Sequence, residues 1–113
     1  AKGVKYLAQS EVLVNLTSLN LFYNRIGNEG AKYLAVSDNL LSLQNLVLTD
    51  NEITDEGAII LAKFLPLFTN LVRLDLRLNR IKDDGKNALR EAQKLSNIKH
   101  LLLDKVEGFQ VKS

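Results

Sequence analysis

Four stretches of the chain carry the same alternation of apolar and polar positions. Leu16-Thr-Ser-Leu19-Asn-Leu21-Phe-Tyr-Asn24, Leu43-Gln-Asn-Leu46-Val-Leu48-Thr-Asp-Asn51 and Leu71-Val-Arg-Leu74-Asp-Leu76-Arg-Leu-Asn79 all follow L-x-x-L-x-L-x-x-N. Ile98-Lys-His-Leu101-Leu-Leu103-Asp-Lys-Val106 keeps the apolar ladder and has Val106 where the others have Asn. Leu19, Leu46, Leu74 and Leu101 are spaced by 27, 28 and 27 residues. Alternation of this kind predicts a short strand with one face inward, at about 18–22, 45–49, 73–77 and 100–104, stacked in parallel.

The rest of each repeat recurs as well. Ile26, Ile53 and Ile81 each follow the Asn by two residues, and Gly30, Gly57 and Gly85 follow the Ile by four. Leu34, Leu61 and Leu89 come four residues later still, and Gly3-Val-Lys-Tyr-Leu7-Ala8 copies Gly30-Ala-Lys-Tyr-Leu34-Ala35. A helix is expected after each strand. Thr54 is the expected N-cap of one, with Asp55 and Glu56 in the first turn, where the helix dipole favours negative charge; Asn28-Glu29 and Asp83-Asp84 play the same part. Ala58, Leu61, Ala62 and Leu65 share one helical face. Gly57 is expected to let the helix approach the strand layer, and Pro66 to end it. The Asn after each strand is expected to bond free backbone groups of neighbouring turns, since a buried amide without partners costs roughly 1–3 kcal/mol.

No such unit buries its apolar face alone, so stacking must make the core continuous. The chain reads as one domain, 1–113: a helical half-repeat at 1–15, repeats at about 16–42, 43–70 and 71–97, and a terminal strand and cap at 98–113. Val4, Leu7 and Ala8 are expected to cover one end, and Val106, Phe109 and Val111 to form a makeshift cap at the other.

The repeated columns resemble the leucine-rich-repeat family over nearly the whole chain, from Gly3 to about Val106. The long period and the run Asn51-Glu-Ile-Thr-Asp-Glu-Gly-Ala58 resemble its ribonuclease-inhibitor-like subtype. The resemblance implies an α/β solenoid of three and a half repeats, with parallel strands on the concave face and helices on the convex face. It implies a protein-interaction module rather than an enzyme: one that grips a folded protein, in one form an enzyme whose active site it covers. A free-standing set of this size is similar to small effectors, or effector regulators, of intracellular bacteria. That likeness implies a cytoplasmic site of action, including the host cytoplasm after secretion. The alternative is a fragment of a larger leucine-rich-repeat protein, such as a GTPase-activating protein or a ubiquitin-ligase effector. The former are longer and carry an acidic tail; the latter need a catalytic Cys in a further domain.

Composition narrows the chemistry. Fifteen Lys and Arg against 13 Asp and Glu give a net charge of +2. That is too near neutral for a nucleic-acid binder or a polybasic membrane anchor, so neither partner is expected. The chain has no Cys, which excludes a thiol nucleophile, a disulfide framework and a Cys-based zinc site, and favours a reducing compartment. No apolar run approaches the roughly 18 residues that span a bilayer, and Ala1-Lys2-Gly3 does not read as a signal peptide. The glycines match no phosphate-binding motif. The single histidine, His100, lacks an acid–hydroxyl pair beside it. No cofactor, metal or catalytic residue is assigned; Asp50, Asp75 and Asp104 are the one set of carboxylates within reach of one another across rows.

Binding is therefore expected of side chains that the alternation turns outward. The candidates are Asn20, Phe22, Tyr23 and Arg25; Val47, Thr49 and Asp50; Arg73, Asp75, Arg77 and Leu78; and His100, Leu102 and Asp104. Phe22 and Tyr23 are bulky groups that a solenoid does not need there, and aromatic and Arg residues are enriched at binding hot spots. Arg73, Arg77 and Arg80 are expected either to bind or to form a salt-bridge network with Asp75 and Asp50. A monomer or a one-to-one heterocomplex is expected.

Overall fold

In the computed structural model, residues 2–9 and 14–104 are described. Helix α1 (Lys2–Ala8) comes first, followed by β1 (Ser18–Asn20), α2 (Gly27–Ala35), β2 (Asn45–Val47), α3 (Asp55–Phe64), β3 (Arg73–Asp75), α4 (Asp83–Lys94) and β4 (His100–Leu102). The strands form one parallel sheet in the order β1-β2-β3-β4, with Leu19, Leu46, Leu74 and Leu101 paired across it. The helices stack alongside in the same order, α1 on α2, α2 on α3 and α3 on α4. This is the expected α/β solenoid.

The core is built from the repeated columns. Leu46 and Leu74 from the strands, Leu48 and Leu76 just after them, Ile53 and Ile81 from the turns, and Leu34, Leu61 and Leu89 from the helices are all buried. Of the three α1 residues expected to cover this end, Val4 and Ala8 are buried with the core and Leu7 is half-buried. The tail containing Lys105, Val106, Glu107, Phe109 and Val111, where a cap was expected, lies outside the described residues.

Asn51 and Asn79 work as expected, whereas Asn24 is exposed and its amide donates to the Phe22 carbonyl of its own turn. Asn51 is fully buried; its Oδ1 accepts from the backbone N–H groups of Asn24 (2.8 Å) and Ile26 (3.2 Å), and its Nδ2 donates to the carbonyls of Leu21 (2.7 Å) and Thr49 (3.2 Å). Asn79 repeats this one turn on, with Oδ1 accepting from Asn51 (2.9 Å) and Ile53 (3.0 Å). Each amide thus ties its own turn to the preceding one.

Three local expectations need correction. The strands are three residues long, because the chain turns away sooner: Tyr23, Asp50 and Leu78 adopt left-handed backbone angles, with φ of 60°, 60° and 62°. Asn20 and Asp75 reinforce the early turn by accepting from the backbone N–H two residues later. Thr54 occupies the N-cap position of α3 but makes no capping bond to its own helix. The cap comes instead from the preceding repeat: Asn28 Oδ1 accepts from Thr54 N (2.9 Å) and Gly57 N (3.0 Å), and Asp55 Oδ1 accepts from Lys82 N (2.6 Å) in front of α4. Gly57 is accordingly small for a different reason from the one expected. A Cβ there would collide with Asn28 Oδ1 and with Ile53 Cγ2 (2.9 Å), not with the strand layer. Pro66 does coincide with the end of α3; it sits in a 3-10 turn, Leu65–Leu67, that follows it.

Candidate partner-binding surface

Because Leu46 and Leu74 point into the core, the residues flanking them point to the opposite face of the sheet. The register aligns them in columns: Ser18, Asn45, Arg73 and His100 in one, Asn20, Val47, Asp75 and Leu102 in the next. The first column is linked by side chains. Asn45 Nδ2 donates to Ser18 Oγ (3.2 Å), and Arg73 Nη1 donates to Asn45 Oδ1 (3.2 Å). The repeat register turns Ser18 and Asn45 outward as well, though neither was among the expected contact residues; their place in the column of Arg73 was the available signal.

Two of the expected contact residues are covered rather than presented. Asp75 is 2% exposed and Thr49 is 7% exposed. Arg77 lies over the Asp75 carboxylate, donating from Nε to Oδ1 (2.9 Å) and from Nη2 to Oδ2 (2.7 Å), while Arg73 Nη2 stands 3.5 Å from Oδ2. Burial pushes the Asp75 carboxyl up, but the hydrogen bonds and charge of Arg77, with a smaller contribution from the Thr49 hydroxyl, outweigh it and hold it below the usual carboxylate range. The expected salt-bridge network is therefore real but local to Asp75; neither Asp50 nor Arg80 is part of it among the described residues.

Asp104 is also engaged, on the far side of the sheet. Its carboxylate accepts from Lys86 Nζ of α4 (2.8 Å), and that contact holds it below its usual range. Asp50, Asp75 and Asp104 do not combine into a metal-holding group, and no other cluster of three His, Cys, Asp or Glu does so among the described residues.

What remains open is concentrated at the β1 end. Phe22 is 53% exposed and Tyr23 62%, their rings tilted together with centroids 6.3 Å apart. Arg25 and His100 are exposed, as is Leu78, while Val47, Asp50, Leu102, Arg73 and Arg77 are half-buried and Asn20 is exposed. Phe22, Thr49, Arg77 and Asp104 occupy equivalent places just past their strands, so the aromatic pair and the Arg–Asp pair lie along one edge of the same face. Such a surface offers ring stacking, guanidinium donors and apolar contact. It brings together no nucleophile, base and oxyanion-stabilising group of the kind an active site needs.

A parallel solenoid of strand–turn–helix units, with an invariant inner face and a variable outer one, defines a repeat scaffold of the recognition class. Residues 12–35, 39–62 and 69–89, more than half of the chain, match the family model described as Leucine Rich repeat. The chain belongs to the leucine-rich-repeat family, whose domains generally mediate protein–protein interaction. No curated protein matches the chain.

Proposed function

We propose that this chain binds a folded protein through its outer strand face and the edge carrying Phe22, Tyr23 and Arg25, and that it acts by occupancy, covering an enzyme's active-site cleft. The reading includes the ribonuclease-inhibitor-like subtype, supported by the 27–28-residue period and the helix that follows each of β1, β2 and β3. It also includes a bacterial effector or effector-regulator role in the cytoplasm, supported by the cysteine-free composition and the sequence resemblance alone.

The observation that carries the binding reading is the aromatic pair. Phe22 and Tyr23 are adjacent, more than half exposed and absent from the core, so the fold gains little from them. Large exposed aromatic groups supply contact area at low entropic cost and typically anchor interfaces. Arg73 and Arg77 stand two strands further along the same face, with part of their side-chain freedom already lost to Asp75.

The test is quantitative affinity capture from native lysate with wild type, Phe22→Ala/Tyr23→Ala and Arg25→Glu chains at equal folded concentration. At least one captured protein is expected to fall about tenfold with the aromatic double variant, the loss from truncating one hot spot. Retention of every captured protein by both variants would refute the surface. Charge reversal at Arg77 is a poor probe, because it would leave like charges around the buried Asp75.

A further inference from the structure

The Arg–Asp cluster on the third repeat is not required by the fold. In the register, Arg73 stands with Asn45 and Ser18, and Asp75 with Val47 and Asn20. Thr49 and Phe22 hold the place of Arg77 in the two preceding repeats. Those repeats form the same strand with uncharged residues, so the cluster is peculiar to β3, which has a strand on either side. A carboxylate buried at this point loses its hydration, and replacing a buried ion cluster by apolar side chains such as Val47 is often neutral or stabilising. The stability of the sheet therefore does not account for it.

Its arrangement suits the reception of an anion. Arg77 Nη2 and Arg73 Nη2 converge on the same oxygen, Asp75 Oδ2, at 2.7 and 3.5 Å. Arg77 Nε is fixed on Asp75 Oδ1 (2.9 Å), and Arg73 Nη1 on Asn45 Oδ1 (3.2 Å). The two guanidinium groups are thus placed together by a carboxylate beneath them. The Asp75 side chain is 3% exposed, whereas those of Arg73 and Arg77 are 37% and 26% exposed, so a partner reaches the cations and not the anion. Two cations over one anion leave a net positive charge. Among the described residues neither arginine has a second carboxylate within ion-pair distance, and each guanidinium carries more N–H groups than its present contacts use. The next residue in the column of Arg73 is His100, which adds no negative charge.

We propose that Arg73 and Arg77 form a seat for an Asp or Glu carboxylate of the partner protein, so that the partner presents an acidic segment to β3. The incoming carboxylate bridges the two guanidinium groups through charge-assisted hydrogen bonds. Asp75 and Asn45 hold those groups in place before binding, which leaves less side-chain freedom to be lost when the partner arrives. The assignment rests on the outer strand face being the binding surface, and adds the charge of what that face receives.

The test is an NMR titration of the isotope-labelled chain at low salt with a capped tetraglutamate peptide, and with capped tetraglutamine as its neutral match. Tetraglutamate is expected to shift the Arg77 Nε–H and Asn45 side-chain amide signals, and tetraglutamine to bind at least about tenfold more weakly, the size of a lost charged hydrogen bond. Giving β3 the outward residues of the second repeat, Arg73→Asn/Asp75→Val/Arg77→Thr, is expected to abolish the Asn45 shift while the urea midpoint stays level or rises. Arg73→Gln leaves the Asp75–Arg77 pair intact and is expected to weaken binding at least about threefold. Absence of binding, equal binding of the two peptides, tetraglutamate binding that survives the triple variant, or tighter binding of inorganic phosphate than of tetraglutamate would each overturn the assignment. So would a triple variant whose urea midpoint falls as far as that of Leu74→Ala, since the cluster would then belong to the fold. The peptide carries no apolar side chain, so this titration succeeds or fails independently of the capture experiment with Phe22→Ala/Tyr23→Ala.

Discussion

The two faces of one sheet obey opposite rules. On the inner face, Leu19, Leu46, Leu74 and Leu101 hold one residue type across the register; on the outer face the paired positions run Ser18, Asn45, Arg73 and His100, four different residues on the same backbone. The inner face must mesh with the helices at every turn, so each turn repeats the last. Among the described residues the outer face meets no helix, and its variety is the freedom a binding surface uses. Asp75 complicates the division: it belongs to the outer face by alternation, yet it is buried beneath Arg77.

Breaking the inner face has the largest expected effect. Leu74 is fully buried, and Leu74→Ala is expected to cost about 2–5 kcal/mol in urea unfolding, the usual range for a cavity left in a packed core. Arg77→Ala comes next. It leaves the buried Asp75 carboxylate with Arg73 at 3.5 Å as its one charged donor, and a cost of about 2 kcal/mol is expected at neutral pH from the loss of the two shorter charged hydrogen bonds. The pH dependence of that cost sharpens the point. The folded value of Asp75 lies below the ordinary aspartate value of 3.8, so the stabilisation is present above that value and is lost as pH falls through the folded one. The gap between wild type and Arg77→Ala is therefore expected to close on acidification below pH 3.8, and a gap that stays constant would remove the ion pair from the account.

Asn28→Ala tests the contact between repeats. It removes the acceptor for Thr54 N and Gly57 N, and a loss of about 1 kcal/mol is expected, the common cost of deleting a helix cap. Leu78→Asn is expected to act in the other direction. Leu78 is exposed, its φ is 62°, and Asn tolerates that region better, so a gain of a few tenths of a kcal/mol is expected in the same assay.

The inner face was legible in the sequence because it repeats. The Leu, Asn, Ile and Gly columns gave the strand register, the ladder of amides and the stacking order. The strands ended early because Tyr23, Asp50 and Leu78 enter left-handed conformations that their residue types do not announce. The caps were missed because sequence rules look for a cap in the residue just before a helix, whereas Asn28 and Asp55 reach across a whole repeat. At the candidate surface, alternation placed Thr49 and Asp75 outward but could not show that Arg77 and Arg73 close over Asp75 or that Thr49 is buried. Phe22 and Tyr23 are exposed, as alternation suggested, and the next positions in their columns are the short Thr49 and Asp50.

Equilibrium urea unfolding of Phe22→Ala/Tyr23→Ala, run beside Asn51→Ala, tests the division of labour most directly. Asn51→Ala is expected to lose at least about 2 kcal/mol, because it leaves the N–H groups of Asn24 and Ile26 without their acceptor. The aromatic double variant is expected to stay within about 0.5 kcal/mol of wild type, as surface substitutions usually do. An aromatic double variant that falls as far as Asn51→Ala would make the pair part of the fold and contradict the account.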